Sequence, residues 1–268
     1  MATGRMRFYS VSLSGQANIT YVIPNDVPPM MAMGNPFFRR PMKTLYLLHG
    51  ISGNDCDWEF NGIAEDLSIR FNLAIIMLSC GNDFYLDREA TGRQYCKFAG
   101  KEAVEYTRKT FGLSDRPEDT FIGGLSMGGF GEIHPALAYP ETFGAAIALS
   151  SALIISKIKG MKKGVFDGIA NTAYYEEVFG DLKKVDKSDA NPEVLYDRLA
   201  AAGRKIPPIY MAIGTEDFLY EANQEFRRFL EERKADFFYE EGPGIHNWDF
   251  WNPYIVKGVE WALGRADG

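Results

Sequence analysis

Thr120-Phe121-Ile122-Gly123-Gly124-Leu125-Ser126-Met127-Gly128-Gly129-Phe130 decides how the rest of the chain is read. It begins apolar and strand-like, passes through Gly124-x-Ser126-x-Gly128, and continues into a helical run from Gly129 to Tyr139. Strand, tight turn and helix in that order form a nucleophile elbow. The serine is held in a strained turn that lifts its hydroxyl clear of a sheet. Side chains at Gly124 and Gly128 would collide with neighbouring backbone. Met127 then sets its N–H at the start of the helix, where donors are unpaired and the dipole is positive.

Upstream of the elbow, Tyr9, Val11 and Leu13 alternate with serines, and Ala17, Ile19, Tyr21 and Ile23 alternate mostly with polar residues. With Ser14-Gly15 between them they predict a hairpin at the antiparallel edge of a sheet. Pro24 to Pro41 reads as a long surface loop. Thr44–Leu48 and Leu73–Leu78 read as buried strands, and the spacing of Phe60, Ile63, Leu67 and Phe71 predicts a helix between them. Gly100–Phe111 reads as a second helix.

Downstream, Phe143–Leu149, Ile209–Gly214 and Asp236–Glu241 read as strands. Tyr220–Arg233 and Trp248–Leu263 read as helices. Strands alternating with helices imply a mostly parallel central sheet covered on both faces. The 268 residues, 46% of them hydrophobic, suffice for one α/β domain spanning 1–268. One segment breaks the rhythm. Residues 151–207 are far longer than a crossover needs, and an insertion at this edge is expected to form a cap.

Three histidines are available to activate a serine, whose hydroxyl does not ionise at neutral pH. His49 ends a strand and begins the turn His49-Gly50-Ile51-Ser52-Gly53. His134 is carried away from Ser126 by the helix that follows it. His246, in Gly242-Pro243-Gly244-Ile245-His246-Asn247, lies in a loop at the carboxyl edge of the sheet and is the expected base. The order nucleophile, acid, base then points to Asp217, directly after the strand Ile209–Gly214, with Glu216 as its rival. The oxyanion donors are expected to be the backbone N–H groups of Ile51 and Met127. Trp58, Phe84, Tyr85 and Trp248 are expected to wall an acyl pocket.

These stretches together resemble the esterase D-like family of α/β-hydrolases, and within it bacterial tributyrin esterases. The resemblance is carried by Leu47-Leu48-His49-Gly50, Gly124-Leu125-Ser126-Met127-Gly128-Gly129, Gly214-x-x-Asp217-Phe218-Leu219-Tyr220 and Gly244-x-His246-x-Trp248-x-x-Trp251. It implies an α/β-hydrolase fold and cofactor-free ester hydrolysis through an acyl-enzyme, with Ser126, Asp217 and His246 as triad. Short-chain acyl or aromatic esters are the implied substrates, an acylated plant saccharide among them, and relatives often form dimers or tetramers. S-formylglutathione hydrolases usually carry Ser-Gly-Leu-Thr-Cys where His49–Gly53 stands, and mycolyltransferases usually have alanine in place of Gly128. Both departures count against those activities. An acyltransferase of the same fold, which a water-excluding cap would mark, and a non-catalytic binding module, which a lost triad member would mark, are the rival readings, and no triad member is missing.

Composition narrows the rest. A net charge of −7 without a basic stripe excludes a nucleic-acid surface. No run of eighteen apolar residues occurs, so no membrane span is expected. Cys56, Cys80 and Cys96 are odd in number and lack CxxC spacing, which predicts reduced thiols and a cytoplasmic protein. No HExxH occurs, and no metal site or cofactor is expected.

Overall fold

A computed structural model describes residues 1–267. Ten strands are present among the described residues: β1 (Ala2–Ser10), β2 (Gly15–Ile23), β3 (Lys43–Leu48), β4 (Leu73–Leu78), β5 (Asp87–Arg88), β6 (Arg93–Gln94), β7 (Thr120–Leu125), β8 (Ala145–Leu149), β9 (Ile209–Gly214) and β10 (Phe237–Gly242). Eight of them form one sheet in the order β1-β2-β4-β3-β7-β8-β9-β10, while β5 and β6 pair separately. From β4 to β10 all neighbours are parallel, and the β1–β2 hairpin adds the antiparallel edge. β3, β4, β7, β8 and β9 are buried along their whole length, which is why they read as unbroken apolar runs.

Each face of the sheet carries its own core. Helices Ala64–Phe71 and Trp248–Ala266 cover one face, with Leu67, Phe71, Ile255 and Val259 against Leu45, Leu47 and Ile147. Helices Ala103–Phe111, Met127–Ala138 and Tyr220–Glu232 cover the other, with Val104, Phe130, Ile133 and Phe226 against Tyr46, Ile122 and Met211. This is the α/β-hydrolase architecture that the sequence predicts. Among the described residues, no helix is long and apolar enough to cross a membrane.

Three local expectations need correction. The hairpin turns at Val11–Ser14, not at Ser14-Gly15, and Ser10 pairs with Gly15. Glu102 is the reason. Its carboxylate accepts from Ser10 Oγ (2.5 Å), Val11 N–H (2.7 Å) and Ser12 N–H (3.0 Å) and so captures the turn. Exposed Tyr9 and Val11 therefore bury nothing. The helix expected from Phe60 begins at Ala64 instead, after a single turn at Asp57–Phe60. A Cβ on Gly62 would stand 2.6 Å from the Trp58 carbonyl, so the chain breaks there and leaves Phe60 exposed. The helix expected from Gly100 is regular only from Ala103, after irregular turns over Tyr95–Glu102.

Between β8 and β9 lie helices Ile155–Ile158, Thr172–Phe179 and Pro192–Ala201. Tyr175, Val178, Phe179, Leu195 and Leu199 join the core beside helix Met127–Ala138. The tip Val165-Phe166-Asp167-Gly168-Ile169 is turned by Asp167, whose carboxylate accepts from Ile169 N–H, Ala170 N–H and Tyr175 OH. Helix Met127–Ala138 also carries fully buried Glu132 beneath this layer, and burial pushes its carboxyl well up, favouring the neutral acid.

Candidate active site

The elbow is built from backbone-on-backbone contact. Ser126 sits at φ 57°, ψ −119°, a strained conformation for a non-glycine residue, at the cap of helix Met127–Ala138. Three hydrogen bonds hold it there. Its N–H donates to the Leu149 carbonyl (2.9 Å), and its own carbonyl accepts from Ala152 (2.9 Å) and Phe130 (3.1 Å). A Cβ on Gly124 would stand 2.2 Å from the Gly128 carbonyl oxygen, and one on Gly128 would stand 2.4 Å from that of Leu48. Only glycine allows strand and helix this close.

His246 arrives on the loop after β10. Its Nε2 lies 2.9 Å from Ser126 Oγ, and its Nδ1 lies 2.8 Å from Asp217 Oδ2. The Asp217 carboxylate is fully buried, and its other oxygen accepts from Leu219 N–H at 2.9 Å. An acceptor-only carboxylate at Nδ1 fixes the proton there and leaves Nε2 free to receive the serine proton. The rival, Glu216, turns away. Its carboxylate accepts from Gly244 N–H (2.6 Å), and its N–H donates to the Gly244 carbonyl (3.0 Å). Glu216 thus clamps the loop that carries His246.

His49 belongs to the opposite wall. Its Nε2 accepts from Cys80 N–H at 3.0 Å, so its Nδ1–H donates to the Gly50 carbonyl at 2.7 Å. Burial lowers its pKa, which keeps this neutral tautomer. The turn it starts brings Gly50 against Ser126, where an added Cβ would lie 3.5 Å from the serine Cβ. Neither Ile51 N–H nor Met127 N–H has a protein acceptor among the described residues. Met127 is the first residue of its helix, where an unpaired donor is normal.

The expected aromatic wall is mostly floor. Trp58, Phe84 and Tyr85 are 1%, 3% and 0% exposed. Trp58 Nε1 donates to the Leu48 carbonyl (3.0 Å), and Tyr85 OH donates to the His49 carbonyl (3.0 Å). Trp58 and Tyr85 thus sit beneath the strand end Leu48-His49, and Phe84 packs between Phe130 and Phe179, so none of the three stands at an open pocket face. Trp248 is half-buried, edge-on to both Trp58 and Trp251. Two rings that the sequence reading passed over touch the imidazole directly: Trp251, edge-on at 4.9 Å, and exposed Phe218 at 4.6 Å. Trp251 is itself fixed by donating Nε1–H to Ser150 Oγ (3.0 Å). Their spacing from Asp217 and His246 was the available signal.

His134 lies apart, on a cleft of about 590 Å3 that none of Ser126, Asp217, His246 and Ile51 lines. Its Nε2–H donates to the Asp189 carbonyl at 2.7 Å, and burial lowers its pKa from 6.5 to about 4. Below pH 6.5 the unfolded chain therefore takes up a proton that the folded chain refuses. Stability present at neutral pH is lost as the pH falls from 6.5 towards 4, by about 3 kcal/mol in all. His134→Gln is expected to flatten the decline of Tm over that window, as followed by thermal melts at pH 7, 5 and 4.

A nucleophile elbow at the centre of a doubly covered parallel sheet, faced by a histidine–carboxylate pair, defines the class of α/β-type serine hydrolases. The family model "Esterase" (described as "Putative esterase") matches residues 38–262, and the chain belongs to this family. It is 42% identical over 267 residues to an acetyl esterase of Caldicellulosiruptor saccharolyticus, covering 100% of both chains. Among solved structures it is similar to the fluorophosphonate-binding serine hydrolase F of Staphylococcus aureus, with TM-score 0.83, 27% identity and 98% of each chain covered. It is also similar to an S-formylglutathione hydrolase from Staphylococcus aureus, with TM-score 0.81, 27% identity and 98% of each chain covered. The chain is a serine-type carboxylic-ester hydrolase.

Proposed function

We propose that this enzyme removes short acyl groups, acetyl foremost, from small alcohols, with Ser126 as nucleophile, His246 as base and acid, and Asp217 as the orienting carboxylate. The observation that carries this reading is the unbroken run from Asp217 Oδ2 to His246 Nδ1 and from His246 Nε2 to Ser126 Oγ, at 2.8 and 2.9 Å. The acetyl preference draws support from the 42% identical relative that bears that name.

In the reaction, Ser126 Oγ attacks the ester carbonyl carbon as its proton passes to His246 Nε2. The carbonyl oxygen becomes an oxyanion held by the N–H groups of Ile51 and Met127, a term worth about 10²–10³ in rate per donor. The imidazolium then protonates the departing alkoxide, leaving an acyl-serine. Water, deprotonated by His246, releases the acid and restores the hydroxyl. Buried Asp217 stabilises each imidazolium. Residues 151–207 form the cap in this reading, with helix Thr172–Phe179 reaching the neighbouring loop through Tyr174 OH on the Asn82 carbonyl. The natural carrier extends to an acylated saccharide, and the enzyme to a cytoplasmic oligomer.

The test is a panel of 4-nitrophenyl acetate, 4-nitrophenyl butyrate, a feruloyl ester, an acetylated xyloside and S-formylglutathione. The expected result is the highest kcat/KM on acetyl esters, with fluorophosphonate labelling at Ser126. Preference for the thioester by more than tenfold, or a label elsewhere, overturns it.

A further inference from the structure

We propose that Asn82 is a positioning residue for the oxyanion loop and that Tyr174 latches the 151–207 insertion to it. The proposal rests on the assignment of the Ile51 N–H as an oxyanion donor.

The turn Gly50-Ile51-Ser52-Gly53 is closed by Gly53 N–H donating to the Gly50 carbonyl (3.2 Å), a single bond that leaves its direction to its neighbours. It contains two glycines, and Ser52 has φ 63°. Its orientation is set from outside, by the segment Cys80–Tyr85. Three bonds run from one to the other. Cys80 N–H donates to His49 Nε2 (3.0 Å), Tyr85 OH donates to the His49 carbonyl (3.0 Å), and Ser52 N–H donates to Asn82 Oδ1 (2.7 Å). The third falls on the peptide that joins Ile51 to Ser52. Ser52 Oγ donates to the carbonyl of that same peptide at 2.6 Å. The Ile51 N–H lies in the preceding Gly50–Ile51 peptide, whose carbonyl accepts from His49 Nδ1–H (2.7 Å) and Gly53 N–H (3.2 Å), so Asn82 constrains it from the other side of the Ile51 Cα, by orienting the peptide that follows.

The bracing segment is itself strained. Phe84 and Tyr85 are consecutive non-glycine residues at φ 51° and 54°. Such backbone persists only where the surroundings over-determine it, and both side chains are buried. The insertion supplies part of that hold. Tyr174 OH donates to the Asn82 carbonyl at 2.6 Å, and the Phe179 ring lies 4.9 Å from that of Phe84. Asn82 is thus gripped at both ends: its side chain aims Ser52, and its carbonyl is held by the insertion. A substrate group that shifts helix Thr172–Phe179 changes the rate of the chemical step, not affinity alone.

Asn82 is exposed, so truncating it removes the bond without opening a core cavity. The experiment measures kcat and KM on 4-nitrophenyl acetate, affinity for an alkyl boronic acid that forms a tetrahedral serine adduct, and Tm. Asn82→Ala is expected to lower kcat about 10-fold with KM changed less than about twofold, since a misdirected donor loses part of its transition-state contribution. Boronate affinity falls in the same proportion. Tyr174→Phe gives about a 3-fold loss, and the double variant is no slower than Asn82→Ala, because both act through one residue. Values of kcat and boronate affinity within twofold of wild type in both variants overturn the proposal. If Asn82→Ala does not fold, Tyr174→Phe decides alone, since it removes a single hydroxyl. Ser126→Ala is run alongside. An inactive Ser126→Ala with an unaffected Asn82→Ala rejects the brace and spares the hydrolytic reading, whereas an active Ser126→Ala rejects both.

Discussion

Ser126→Ala is expected to lower kcat on 4-nitrophenyl acetate by about 10⁶-fold, the scale at which removing the nucleophile of a cooperating set disables the whole set. The fold should not suffer. The strained backbone at 126 already accommodates a Cβ, and its three backbone hydrogen bonds do not involve the hydroxyl. The hydroxyl itself bonds to His246. Circular dichroism melts should therefore place Tm within a few degrees of wild type, and steady-state assays should find residual turnover only. A variant that keeps a tenth of the wild-type rate would move the nucleophile to another residue.

Asp217→Asn is expected to lower kcat by about 10⁴-fold, the cost of holding a catalytic imidazole in the wrong tautomer. An amide at 217 can keep its bond from Leu219 N–H through the remaining oxygen. It then presents NH₂ to His246 Nδ1, which must accept, and the imidazole proton moves to Nε2 and confronts Ser126. The buried setting offers no water to substitute. Glu216→Gln is the control. Its carbonyl oxygen can still accept from Gly244 N–H, so kcat should stay within about threefold. Kinetics on the two variants separate adjacent acids that sequence order alone left as rivals. A reversed outcome would exchange their roles.

The fold class was legible because the central strands are buried on both faces and read as apolar blocks, with Leu73–Leu78 and Ile209–Gly214 found at the predicted bounds. The positions around Ser126 were legible for a more local reason. Gly124, Gly128 and Gly214 each meet another backbone at a distance no side chain tolerates, Gly244 meets the Phe250 ring at a positive φ, and such glycines mark the turns that deliver Ser126, Asp217 and His246. What failed to read depended on partners remote in sequence. The hairpin turn is set by Glu102, about ninety residues downstream of it. Whether Trp58 and Tyr85 face substrate or core is decided by the carbonyls of Leu48 and His49, which composition cannot announce. Phe218 and Trp251 were quoted within motifs, yet their contact with the imidazole needed the geometry. The bonds of Asn82 to Ser52 and Tyr174 join three separate segments and left no periodic trace.

In the proposed mechanism the strand order places the two halves of the chemistry on unequal foundations. Ser126 rises from β7, deep inside the sheet, whereas His246 hangs from β10, the outermost strand, paired on one side only and buried at no position along its length. Edge elements open first under gentle perturbation, well before the centre gives way. Mild urea or warming should therefore silence this enzyme while its ellipticity is still intact, and dilution should restore it, because the part that let go was a hinge at the rim and not the barrel of the lock.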